Sequence, residues 1–240
     1  MSRIHFEVGE TAVTVFSDDI FHKVAKDAIF EAREIIQRKI SQDPFFGSTY
    51  YPYDADDDDD PLIREMCRCS HLSDVGPMAG VAGAVAYYAV HKMRDAGAGF
   101  AIVENGGDIA LLIDRDITVG IFAGDERFGD LAFDVKKREG IFGICSSSGK
   151  IGPSVSFGKS GISTVISENV ILADQCATSL GNMIKDGSEE EMSSSVERIC
   201  SVEGIEGCLA TFDGKMALAG DLPELVKRKV DPDRSSRILF

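Results

Sequence analysis

Asp174 and Thr178 stand four residues apart in Ala173-Asp174-Gln175-Cys176-Ala177-Thr178, a stretch that reads as the first turns of a helix over about residues 172–185. At that spacing a carboxylate and a hydroxyl share one helix face. Two hard oxygen donors suit a cation such as Mg²⁺, which in turn suits a phosphate-bearing ligand. The plain alternative is that Asp174 caps or complements the helix N-terminus and Thr178 has no special role. A second candidate is Glu104-Asn105-Gly106-Gly107-Asp108, where paired glycines between apolar runs could turn amides toward an anion. Asn-Gly is equally the strongest short hairpin signal. The third is Cys145-Ser146-Ser147-Ser148-Gly149-Lys150, continuing through Lys159 to Gly161, dense in hydroxyls, glycines and lysines as a phosphate-binding loop would be. It is not a P-loop, because the glycine-to-lysine spacing is one residue too long and a strand, not a helix, follows.

Sulfur chemistry is the other option. Cys67, Cys69 and His71 form a compact trio that could hold a soft metal or carry a persulfide, or simply end a surface helix. Cys145 and Cys176 lie beside the candidate site but have no adjacent base, and buried cysteine often only fills space. With six cysteines and no apolar N-terminal leader visible, free thiols in a reducing cytoplasm are expected. A net charge of −15 argues against nucleic acid or an anionic membrane as partner. It leaves open a phosphate ligand bound locally by helix N-termini, loop amides and a metal. The most apolar segment, residues 78–90, is too short to cross a bilayer.

The elements that must position these residues follow from periodicity. Alternation at Ile4, Phe6, Val8 and then residues 12–16 predicts a hairpin, followed by a helix over about 20–40. Residues 42–61 carry several prolines and the run Asp56–Asp60, which predicts a solvated, mobile acidic loop. Helices are expected from Pro61 and from about 77 to 95, the second with a small-residue side at Gly80, Ala82, Gly83, Ala84 and Ala86. That side could pack inside the fold or at the interface of a homo-oligomer. Strands are expected at 100–113 around the Gly-Gly turn, then at 117–122, 131–135, 141–145 and 163–165. After the Asp174 helix come a helix from Ser188 to about Cys200 and a hairpin across Asp213-Gly214. Short hairpin connections predict an α+β fold: two layers, a mostly antiparallel sheet with helices on one face. One domain over 1–225 and a polar tail over 226–240 are expected.

In this order, Asn105-Gly106-Gly107-Asp108, Ser147-Ser148-Gly149 and Ala173-Asp174…Ala177-Thr178 resemble the ApbE-like family, the FAD:protein FMN transferases. The resemblance implies a T-fold-related α+β fold with duplicated halves. It implies Mg²⁺ bound by Asp174 and Thr178 and engaging the pyrophosphate of FAD, with Asn105, Gly106, Gly107, Asp108, Ser147, Ser148 and Gly149 lining the flavin nucleotide pocket. The family's His-x-Ile-Asp-Pro-x-x-Gly segment is replaced here by Ser154-Val155-Ser156-Phe157-Gly158-Lys159-Ser160-Gly161, which keeps only the glycine. The chain thus resembles a divergent branch. Three functions are open on this basis: transfer or hydrolysis of a flavin or other nucleotide with Mg²⁺, a cysteine-based accessory role in sulfide assimilation, and non-catalytic binding.

Overall fold

The computed structural model describes residues 1–9, 11–121, 126–148, 161–228 and 238–239. A hairpin, β1 (Ser2–Val8) with β2 (Thr11–Ser17), is followed by helices α1 (His22–Gln42), α2 (Pro61–Ser73) and α3 (Val81–Asp95). A second hairpin, β3 (Ala101–Asn105) with β4 (Asp108–Leu112), closes the first half. The second half repeats the plan: β7 (Phe142–Ser147) and β8 (Ile162–Ser167), then α4 (Val170–Met183) and α5 (Glu189–Cys200), then β9 (Ile205–Phe212) with β10 (Lys215–Gly220). These strands form one eight-stranded antiparallel sheet in the order β1-β2-β3-β4-β7-β8-β9-β10, the halves meeting at β4 and β7. The structure therefore bears out an α+β fold with a mostly antiparallel sheet.

All five helices bury their apolar stripes on one face of this sheet, against Val15, Val103, Ala110, Cys145, Val165 and Cys208. The structure adds a layer on the other face. Strands β5 (Ile117–Gly120), β6 (Leu131–Val135), β11 (Glu224–Lys227) and β12 (Ile238–Leu239) form a second sheet, ordered β11-β6-β5-β12. It covers Ile102, Ile109, Leu111, Phe142, Ile144, Ile166 and Leu209. The reason is in the strands themselves. An antiparallel sheet can leave one face in water only if alternate side chains are polar, whereas β3, β4 and β7 carry apolar residues on both sides, with the large buried Ile, Leu and Phe groups away from the helices. Each Ile, Leu or Phe so covered contributes about 1.5–3 kcal/mol relative to an exposed one. Two stretches of the expected polar tail join this second sheet: Val226 and Lys227 pair with β6, and Ile238–Leu239 pair with β5.

The acidic run also packs. Lys39, on the last turns of α1, has a side chain only 5% exposed, and its ammonium donates to Asp59 at 2.7 Å and Asp56 at 3.0 Å. Burial works against that charge, but the two carboxylates outweigh it and hold Lys39 above the ordinary lysine range. Asp60 caps α2, its side chain accepting from the Leu62 amide at 2.8 Å just ahead of Pro61 at the first helical position. A run of like charges is tolerable here because a buried cation and a helix N-terminus take up three of its members. Among the described residues, no helix is long and apolar enough to cross a membrane.

Candidate cation and phosphate site

The α4 helix starts earlier than its pattern predicts. Asn169 is the N-cap, its Oδ1 accepting from the Ile171 and Leu172 amides at 3.1 Å, while its Nδ2 donates to Glu65 at 2.5 Å. Asp174 is then the fifth helical residue, beyond the turn whose amides need a cap. The plain capping role is thereby excluded for its own helix. Instead Asp174 Oδ2 accepts from the Gly83 amide of α3 at 2.7 Å. Glycine is required at 83 for this approach: a Cβ there would lie 2.8 Å from Asp174 Cβ and 2.9 Å from the Val170 carbonyl oxygen. The small-residue side of α3 thus packs inside the fold, against α4. Gly80 serves the same interface, lying against the side chain of Gln175. That buried amide donates to the carbonyls of Met66 and Pro77 and accepts from Ser73 Oγ, fastening α4 to α2 and to the 3-10 turn Pro77–Gly80.

The Gly106-Gly107 stretch is a two-residue hairpin loop in which Asn105 pairs with Asp108. Both glycines have positive φ, 69° and 138°, the backbone that such a tight loop demands. Flanking it, Asn105 Nδ2 donates to the Ala82 carbonyl at 3.2 Å. Asp108 shares the helix-facing side of β4 with Ala110, and its Oδ1 accepts from the Ser146 amide at 3.2 Å. Its charge acts on both Asp174 and the Cys145 thiol. Asp174 is 5% exposed and Asp108 9%. Burial first, and then the like charge of Asp108, push the Asp174 carboxyl well above the usual carboxylate range, against the opposing pull of the Gly83 amide. Cys145, fully buried beside both, is pushed up by the same causes in the same order.

The sequence candidates are thus partly gathered. Asn105 and Asp174 meet at the N-terminal turn of α3, joined by the Ala82 carbonyl and the Gly83 amide, while Asp108 is held from β7 by the Ser146 amide. Thr178 follows Asp174 one turn later on α4 and is half-buried. Ser147 is buried in β7, two residues beyond Cys145 on the same strand. Ser148 Oγ donates to the Gly161 carbonyl at 2.8 Å. Gly149, Lys150 and Lys159 lie outside the described residues, as do the positions 154–160 that replace the family's histidine segment. Cys145, expected beside the site, lies there, whereas sequence reasoning missed Gly83 and Gln175 as parts of this corner. Only the small-residue stripe of α3 hinted at the first.

The sulfur trio is not assembled. Cys67 and Cys69 are buried in the core, while His71 is half-exposed and sits 2.9 Å from Asp54. Burial pushes the Cys67 thiol up to about 12 and Cys69 higher still, the reverse of a reactive thiol. All six cysteines are free. No group of three or more metal-binding His, Cys, Asp or Glu side chains occurs among the described residues.

Comparison with known proteins places this corner in context. The family described as AbpE bacteria matches residues 1–201. The UPF0280 protein of Methanothrix thermoacetophila is 41% identical over 236 residues, covering 97% of this chain and 98% of that one. The UPF0280 protein of Archaeoglobus fulgidus is 42% identical over 228 residues, 94% of each. Among solved structures, flavin transferase ApbE from Vibrio cholerae superposes with a TM-score of 0.55 at 13% identity, covering 91% of this chain and 96% of that one. Apo flavinyl transferase ApbE from Pseudomonas stutzeri gives 0.57 at 11% identity, covering 91% and 94%. At such identities the shared property is the fold. With the family matched over most of its length and relatives above 40% identity, the chain belongs to the AbpE bacteria family, a divergent branch of the ApbE-like proteins.

Proposed function

We propose that this protein binds a flavin nucleotide through its phosphates, with a divalent cation at Asp174 and Thr178, and passes the FMN moiety of FAD to a protein acceptor or to water, releasing AMP. The observation that carries the reading is the Asp174 carboxylate, buried in α4, fixed by the Gly83 amide and under the charge of a second buried carboxylate, Asp108. Solved neighbours named flavin transferases support the choice of ligand. The donors fit Mg²⁺: carboxylate and hydroxyl oxygens are hard ligands, and too few protein ligands for a closed cage leaves positions for water and phosphate oxygens. When bound, Mg²⁺ would supply neutralisation of the charge on the phosphates.

The chain's own residues do the positioning. The Gly83 amide fixes one Asp174 oxygen. Asn105, tied to Ala82, fastens the hairpin whose Gly106 and Gly107 amides would be offered to the phosphates. Ser147 lines the strand leading away from Cys145. The raised, buried thiols give no support to a sulfide-carrying role.

Incubating the chain with FAD and Mg²⁺ and separating the products by chromatography tests the reaction. Water attack on the phosphoanhydride yields FMN and AMP in equal amounts, and EDTA stops it. FAD bound but recovered intact makes this a binding protein, the third function; FAD neither bound nor cleaved removes the reading.

A further inference from the structure

Resemblance assigns Asp108 to the wall of the nucleotide pocket. We propose instead that Asp108 is a second carboxylate ligand of the cation held by Asp174, an inference that rests on the reading above. Three geometric facts carry it.

The first is direction. Asp108 opens β4 on the face that carries Ala110 and Leu112 toward the helices, so its side chain enters the same layer as α4. The second is orientation. Main-chain amides hold each carboxylate by one oxygen: Ser146 N–H on Asp108, Gly83 N–H on Asp174. The two groups, 66 residues apart in sequence, are thus brought from a strand and a helix to one buried corner, where Cys145, next to Ser146, donates to the same Val170 carbonyl that closes on Gly83. The third is fastening. Asn105, the pairing partner of Asp108 across the Gly106-Gly107 turn, is bonded to Ala82, the residue next to Gly83. One helical turn therefore sets the position of both carboxylates. Two such charges and a nearby hydroxyl make a hard, doubly negative donor set, which matches a divalent ion and leaves places for phosphate oxygens.

The test uses Mn²⁺ as the probe, titrated into the full chain and followed by electron paramagnetic resonance, without and with FAD. Wild type, Asp108→Asn, Asp174→Asn and the exposed control Asp116→Asn are compared. Circular-dichroism melts check folding, and Asp108→Ser replaces Asp108→Asn should the amide not be accommodated. Asp108→Asn and Asp174→Asn should each weaken Mn²⁺ binding at least about tenfold, the least that even outer-shell partners of a metal contribute. Asp116→Asn should bind as wild type. Wild-type affinity in Asp108→Asn with loss in Asp174→Asn overturns this assignment and leaves the cation reading standing. Undiminished binding in both variants, or no Mn²⁺ binding by wild type in either condition, overturns both.

Discussion

Asp174→Asn is expected to abolish the effect of Mg²⁺ on flavin-nucleotide binding while making the cation-free protein more stable at neutral pH. The two effects share a cause. Burial and the facing Asp108 raise the pKa of Asp174 above the ordinary 3.8. The folded chain then holds this proton more tightly than the unfolded chain does. The stability it contributes is complete below about pH 4 and is lost as pH rises through the raised folded value. Above that, wild type without cation carries two apposed buried charges. The asparagine variant carries one, and its amide oxygen still accepts from Gly83. Melting temperatures measured across this range without cation should separate progressively and then level off, with Asp174→Asn the higher. For a chain of this size, each 1 kcal/mol of difference appears as about 2–4 °C. Adding Mg²⁺ should raise the wild-type melting temperature and leave the variant unmoved. Parallel curves for the two proteins would show that burial beside Asp108 does not destabilise the ionised Asp174.

The second large effect belongs to a residue with no chemistry of its own. Gly83→Ala should destabilise the protein by about 1–3 kcal/mol, the range for overfilling a packed interior. The sign is informative, because glycine to alanine inside a helix ordinarily stabilises by roughly 0.8–1 kcal/mol. Here the new methyl meets Asp174 Cβ and the Val170 carbonyl, and neither can yield without shifting α4. The substitution should therefore weaken cation binding as well. Gly99→Ala, where a Cβ meets nothing within 4 Å, is the control and should change stability by no more than about 0.5 kcal/mol. Urea midpoints for the two variants and wild type decide it. A stabilised Gly83→Ala would mean that α3 and α4 are not in the contact described.

Which parts of this arrangement are written locally explains which were legible. Asp174 and Thr178 carry their meaning in a four-residue spacing, and the Asn105–Asp108 turn in its paired glycines, so both stand out from the chain alone. The α5 start at Ser188 is equally local, since its side chain accepts from the Glu191 amide. Asn169 as the α4 cap was obscured because Val170 and Ile171 read equally well as the end of a strand. The second sheet was not legible either: the apolar runs of β5 and β6 fit any layer, and only the two-sided apolarity of β3, β4 and β7 called for a cover. The ion pairs of Asp56 and Asp59 were not legible because their partner, Lys39, sits 17 residues before Asp56 on another element. The meeting of Asp108 with Asp174 depends on β4 lying beside β7 under α4, a tertiary fact with no local signal beyond the inward alternation of Asp108 with Ala110.

The most direct test of the central claim is a titration of the wild-type chain with FAD, first after exhaustive EDTA treatment and then with Mg²⁺ restored, followed by flavin fluorescence. The account predicts saturable one-to-one binding that tightens at least tenfold, about 1.4 kcal/mol, when Mg²⁺ returns. Binding of FAD with the same affinity in both conditions, or no binding in either, would contradict it.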